Sequence, residues 1–205
     1  MDGELFTGDN SSAGEVWLLR NKLQPETNAE EGASIRAVQR VYAERAGIPF
    51  AEVPEPKVIF EIGRGKQPGH KEAALEAFRR LGEVVGDAMA HALTLVHGLA
   101  VISGGVSGAW PLFLPALVAE LNGTYLSPAG NPFRRLSMVT FNLEDAAQRT
   151  KFIRGEAREV TVPGTKRKVR YDALPRLGVG MSRLGTSEAV AVGAYAFALR
   201  KLDRK

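Results

Sequence analysis

The sequence predicts an α/β protein, and three stretches carry that prediction. Leu99 to Ala109 (LAVISGGVSGA) reads as a short buried strand, Leu99-Ala100-Val101-Ile102, running into Ser103-Gly104-Gly105 and opening a helix near Ser107. His70 to His97 places Ala74, Leu75, Phe78, Leu81, Val85, Ala88, Met89, Ala92 and Leu95 at three- and four-residue spacing, the period of a long amphipathic helix laid on a sheet. Arg176 to Ser182 (RLGVGMS) reads as another strand and is followed by a helix from Ser187 to Leu202. Ligands of α/β proteins sit in the crevice outside the carboxyl end of a strand, where glycine lets them approach the backbone. Nucleotide binding is therefore the first function to test at Gly104-Gly105, against the plainer reading of a tight turn with no ligand.

The 205 residues are enough for one large domain or two small ones, and the apolar and charged fractions, 44% and 24%, are those of an ordinary globular protein. No apolar run is long enough to span a membrane, and the start, MDGELFTGDN, lacks the basic and apolar regions of a signal peptide. A cytoplasmic protein is expected. With no cysteine, disulfides and cysteine-ligated metals are excluded, and the three histidines, His70, His91 and His97, are too scattered for a metal cluster. The net charge is +4. Its densest cluster, Lys166-Arg167-Lys168 with Arg170, has no interleaved aromatic residues and reads as a solvated rim, not a nucleic-acid surface.

Taken in order, Gly3 to Gly8 resembles a hairpin turn and its strand, and Ala13-Gly14-Glu15 sets one acid in a polar loop. Glu15 could simply be solvated; facing a cleft, its two oxygens would accept hydrogen bonds from sugar hydroxyls. Ala29 to Ala46 has a helical stripe of Ala33, Val38, Val41, Tyr42 and Ala46, with Asn28 as cap. Glu30 and Glu31 fall in its first turn, where the helix dipole alone explains negative charge. Gly47 to Pro56 carries three prolines and reads as a connector, followed by a short helix from Lys57 to Gly63. Gly98 is the expected stop for the long helix. A helix from Ser107 to Leu121 must accommodate Pro111 and Pro115. Leu136 to Leu143 alternates like a strand, Glu144 to Arg154 like a helix, and Glu159 to Val162 with Lys168 to Tyr171 flank a hairpin turn. The last helix, with Thr186 as cap, is rich in alanine and glycine and suited to close approach by another backbone.

Read together, Gly3-Glu4-Leu5-Phe6-Thr7-Gly8 and Ala13-Gly14-Glu15 resemble the "nG.l..G...AGE" region of the glucokinase-like ROK (repressor, open reading frame, kinase) sugar kinases. Glu30 to Ala37 resembles the segment in which that family sets a sugar-binding glutamate four residues before a serine, here Glu30 and Ser34. LAVISGGVSGA resembles its adenosine segment, and Leu184 to Tyr195 its closing helix. The resemblance covers nearly the whole chain in the right order.

The resemblance implies an actin-like ATPase (ribonuclease H-like) fold, a mixed sheet flanked by helices, forming the carboxy-terminal lobe of a two-lobe kinase that transfers the ATP γ-phosphoryl group to a hexose or N-acetylhexosamine. It implies that Glu15 and Glu30 bind sugar hydroxyls and that Gly104, Gly105, Val106 and Ser107 pass close to the adenosine. ATP and Mg²⁺ are the implied cofactors, and a homodimer, with no nucleic acid and no membrane, the implied assembly. The family's DxGxT phosphate loop, GTGxG turn and catalytic aspartate have no counterpart here. No catalytic residue is therefore expected in this chain, and it should not transfer phosphate alone. Residues 1–205 read as one lobe, with 187–203 a terminal helix that would pack toward an amino-terminal lobe. The family's zinc-site histidine falls on Leu18, so no zinc is expected. Gly123 to Arg183 is longer than the usual connection. Since the family also includes repressors, a non-catalytic sugar sensor or scaffold is the alternative function.

Overall fold

In chain order, the computed structural model, which describes residues 5–203, has helices α1 (Glu30–Ala33), α2 (Ile35–Ala46), α3 (Pro56–Gly63) and α4 (Lys71–Leu95) before a first strand, β1 (Ala100–Ile102). Then come α5 (Trp110–Leu121), β2 (Thr124–Leu126), β3 (Pro132–Arg134), β4 (Val139–Asn142), α6 (Ala146–Arg154), β5 (Ala157–Thr161), β6 (Lys168–Asp172), β7 (Arg176–Met181) and α7 (Thr186–Asp203). The α/β class is as expected. β1, β7 and β4 form a parallel sheet in that order, with Val101 beside Gly180 and Phe141 beside Gly178. Antiparallel pairing is confined to the hairpins β2–β3 and β5–β6.

Central β7 is buried from Leu177 to Gly180, as a parallel strand covered on both faces must be. β1 is an edge strand, and Leu99 and Val101 are exposed rather than buried as its unbroken apolar run suggested. The run from Leu136 pairs only over Val139–Asn142; Leu136 and Met138 are buried as irregular backbone under the core. The β2–β3 hairpin forms around a turn rich in proline and glycine, Pro128, Gly130 and Pro132. Residues 1–4, where the first turn and strand were expected to begin, lie outside the described residues, and Leu5 to Gly8 form no strand.

Expected as one helix, 29–46 is two. Ser34 takes extended φ/ψ, and its Oγ accepts a hydrogen bond from the Ala37 N–H (3.3 Å), so a new helix is capped there. Asn28 Oδ1 accepts from the Glu31 N–H (3.3 Å) in the first turn of α1, whose N-cap position is Ala29, one residue after the expected cap. Gly47, at φ +67°, ends α2 in the left-handed conformation that glycine adopts without penalty. The long helix stops at Leu95, ahead of Gly98.

α4 does not lie on the sheet. It packs against α5 and α2, and α5 is the helix that reaches β4. The reason is legible in two glycines one turn apart. A methyl group on Gly86 would stand 2.8 Å from the Leu117 carbonyl oxygen, and Gly82 faces the Phe113 carbonyl still more closely. With no side chain on Gly82 or Gly86 the two helices approach closely and pack as one unit, with Phe78, Leu114, Leu117 and Leu121 fully buried. Each such side chain contributes about 1.5–3 kcal/mol by leaving water.

Charged groups fasten the outside of this unit. Lys22 bridges Glu83 (3.0 Å) and Glu120 (2.7 Å), tying the amino-terminal loop to α4 and α5. Along α4, Glu76 accepts from Arg79 Nε (2.6 Å) and Arg80 Nε (2.9 Å). The Arg79 hydrogen bond, helped by Arg80 and opposed by burial, holds the Glu76 carboxyl down at about 2. At the other end of the chain none of α7 is buried, and Val190, Tyr195, Phe197 and Leu199 are exposed.

A folded-state pKa depressed from the ordinary 4.5 to about 2 contributes stability that is present above pH 4.5 and lost as the pH falls toward 2. Denaturant titrations in that window will show wild-type stability falling with pH, and a flatter profile for Glu76→Gln. Removing the network should cost on the order of 1 kcal/mol near neutral pH. Identical slopes for the two proteins would show that Glu76 is not the titrating group.

Candidate nucleotide and sugar site

The carboxyl ends of β1, β7 and β4 share one edge of the parallel sheet, and the chain leaves β1 there through Ser103-Gly104-Gly105. Gly104 sits at φ +111°, a conformation closed to ordinary L-residues. The turn is then locked from within: Ser107 donates to the Gly104 carbonyl from both its Oγ (2.6 Å) and its N–H (3.1 Å). Ser107–Ala109 is a 3₁₀ turn, so the helix expected from Ser107 becomes regular only at Trp110, with Pro111 in its first turn. Pro115 lies inside that helix.

Beside the turn opens a cleft of about 320 Å³, at the lower end of the range for small-molecule sites. It is lined by Gly105 and Val106 of the turn, by Phe60 of α3 and Phe78 of α4, and by Ile35, the first residue of α2. The two phenylalanine rings meet edge to face at 6.1 Å, and the Arg64 guanidinium lies 5.5 Å from the Phe60 ring centre. Lys57 and Glu61 of α3 are the charged groups on the lining. A methyl group on Gly105 would meet no atom within 4 Å, so a flat ring can rest against backbone there.

The neighbouring strand exit is fixed by a residue the sequence reading passed over. Glu144, just beyond β4 and with its side chain 7% exposed, accepts from the Met181 N–H (2.9 Å) and pairs with Arg183 (2.9 Å). The next N–H, of Ser182, donates to the Ile102 carbonyl (2.8 Å), immediately before the glycine turn. Glu144 thus holds β7 in the register that supports Ser103. A lone acid directly after a strand was the available signal; the partners that give it a role lie about forty residues away.

The two expected sugar-binding acids occupy a separate wrapping segment. Glu15 precedes the 3₁₀ turn Val16–Leu18, is exposed, and accepts a hydrogen bond from Trp17 Nε1. Glu30 opens α1 and is also exposed. A short antiparallel contact joins their segments: Ala29 N–H donates to Leu19 O (2.7 Å) and Asn21 N–H to Thr27 O (2.9 Å). Ala29 and Leu19 pack on Val84 and Ala88 of α4. Extended Ser34 separates α1 from Ile35, the first residue of α2; neither Glu15 nor Glu30 is among the residues lining the cleft beside Gly105. Leu18, in the 3₁₀ turn after Glu15, is exposed.

The lining of the cleft could not be read from the sequence, since Ile35, Phe60, Phe78 and Gly105 are far apart in the chain and meet only through the packing of α2, α3 and α4.

The chain matches no protein-family model and no curated protein. Among solved structures it is similar to a glucokinase from Parabacteroides distasonis, with 50% identity, 98% of this chain covered and a TM-score of 0.86. Weaker likenesses are a ROK family glucokinase from Streptomyces griseus in complex with glucose and AMPPNP (24% identity, 58% of this chain and 44% of that one, TM-score 0.45) and a ROK hexokinase from Thermus thermophilus (21%, 59% and 42%, TM-score 0.44). The assignment rests on the first. This chain spans 54% of that glucokinase's length.

If Gly104 is required by its backbone conformation, Gly104→Ala will destabilise the protein by about 1–3 kcal/mol while Gly105→Ala, with open space around it, will leave stability within about 0.5 kcal/mol. Equal losses on thermal denaturation would show that the left-handed turn does not matter. Motif order and half-identity over nearly the whole length agree with this parallel sheet and its glycine turn: the chain belongs to the glucokinase-like ROK sugar kinases, as the carboxy-terminal lobe of their actin-like fold.

Proposed function

We propose that this chain supplies the adenosine side of the nucleotide site and the sugar-binding glutamates of an ATP-dependent hexose kinase. The observation that supports this most is the cleft beside the glycine turn that follows β1, lined by Gly105, Val106 and Phe60. An aromatic and aliphatic slot takes a flat, weakly polar base, and the glycine backbone allows the ribose to come close. Val106 contacts the base; Ser107, whose hydroxyl is turned inward to Gly104, holds the turn and does not read the ligand. Glu30, and Glu15 after exchanging the Trp17 N–H for a sugar hydroxyl, orient the hexose through charge-assisted hydrogen bonds.

Phosphoryl transfer also needs a group that takes the hydroxyl proton and residues that fix the phosphates. Neither a DxGxT loop nor a catalytic aspartate is in this sequence, so this chain binds without turning over. Mg²⁺, when bound, neutralises charge on the phosphates. In this reading the chain holds base and sugar. A homodimer in the cytoplasm, acting on a hexose or N-acetylhexosamine, completes the reading.

Titration calorimetry of the chain with adenosine and with glucose tests it. Both should bind, Glu30→Gln should weaken glucose by roughly tenfold with adenosine unchanged, and a coupled assay should detect no glucose phosphorylation. Absence of adenosine binding overturns the nucleotide assignment, and turnover by this chain alone overturns the division of labour.

A further inference from the structure

The cleft beside Gly105 is apolar apart from two charges, and these stand one turn apart on the same face of α3. Lys57 is exposed at its rim. Glu61 sits deeper, its side chain 25% exposed, and its carboxylate meets one cation, Lys66, at 3.9 Å, beyond hydrogen-bond distance. No side chain or backbone N–H donates to that carboxylate among the described residues. Every other side chain facing the same space, from Ile35 through Phe60 and Phe78 to Val106, is hydrocarbon.

An ionised carboxylate is an acceptor only. A base that fills the slot displaces water from the carboxylate, so a donor on the ligand that replaces that water is favoured over a ligand edge that offers none. We infer that Glu61 selects the nucleobase, accepting a hydrogen bond from an exocyclic amino group of the kind adenine carries, and that a base without this donor is bound less well. This rests on the nucleotide reading of the cleft above. It adds a specificity-determining residue on α3, outside the glycine segment through which the nucleotide was first recognised. A base presenting a carbonyl oxygen at the same edge would set a partial negative charge against the carboxylate. A site built to hydrogen-bond a ligand group rejects the analogue that lacks it more strongly than an apolar slot rejects a small change of shape.

Adenosine and purine riboside differ only in the amino group, so their affinities for the unmodified chain test the inference without any risk to folding. Adenosine should bind at least roughly tenfold more tightly, the range of a hydrogen bond to a charged acceptor. Inosine, with a carbonyl at that position, should be no better than purine riboside. In Glu61→Ala the preference should disappear with purine riboside binding unchanged, and in Glu61→Gln it should shrink to a few-fold. Circular dichroism of both variants will establish that they are folded. Equal affinities for adenosine and purine riboside in the wild type, or a preference that survives Glu61→Ala, overturns the role of Glu61 and leaves the nucleotide site standing. Failure of both nucleosides to bind overturns the site and this inference together.

Discussion

The close contact of α4 with α5 is the constraint on which the rest of the architecture depends. Gly82 and Gly86 present bare backbone to the Phe113 and Leu117 carbonyls. Side chains there would push the helices apart, and interiors packed to near-crystalline density do not absorb such a shift locally. Phe78 of α4 and Val106, which precedes α5, both line the cleft beside Gly105, so the spacing of the two helices bears on the width of that cleft although the glycines that set it are not among its lining residues.

Charge completes what packing begins. Arg135, almost fully buried after the β2–β3 hairpin, pairs with Asp87 of α4 and Glu120 of α5, and its Nε finds no partner. A buried cation between two acids on separate helices favours one relative placement of those helices, because any other leaves a charge uncompensated in a region of low dielectric. Lys22 repeats the arrangement from the amino-terminal loop. The segment carrying Glu15 and Glu30 is thereby held to the same helix pair, α4 and α5, whose elements border the cleft.

The legible parts of the sequence were those where local chemistry decides. The Ser103-Gly104-Gly105 turn, the short helix ending at Gly63, the periodicity of α4 and the hairpin around Pro163-Gly164 all follow from short-range signals, and the structure has each, with α3 beginning one residue earlier than expected, at Pro56. Local signals misled where a neighbour decides. Leu99 and Val101 look like core residues, yet β1 is an edge. The amphipathic pattern of α4 announced burial without saying against what; its partner is another helix. Ser34 was read as a ligand-motif residue and turns out also to cap α2, a role its sequence type equally suits. Glu61 gave no signal, since its meaning depends on being the unsatisfied acceptor among hydrocarbon walls.

Exposed α7 has its apolar residues uncovered by the rest of the described chain, whereas the cleft is formed by described residues alone. The central claim is that this cleft receives an adenine nucleoside, and a crystal structure of the chain soaked with adenosine tests it most directly. The ring should lie against the Gly105–Val106 backbone and opposite Phe60, with its amino group at Glu61. A ring bound elsewhere, such as in the charged cleft of Asn21, Arg40 and Arg80 between α2 and α4, would contradict it.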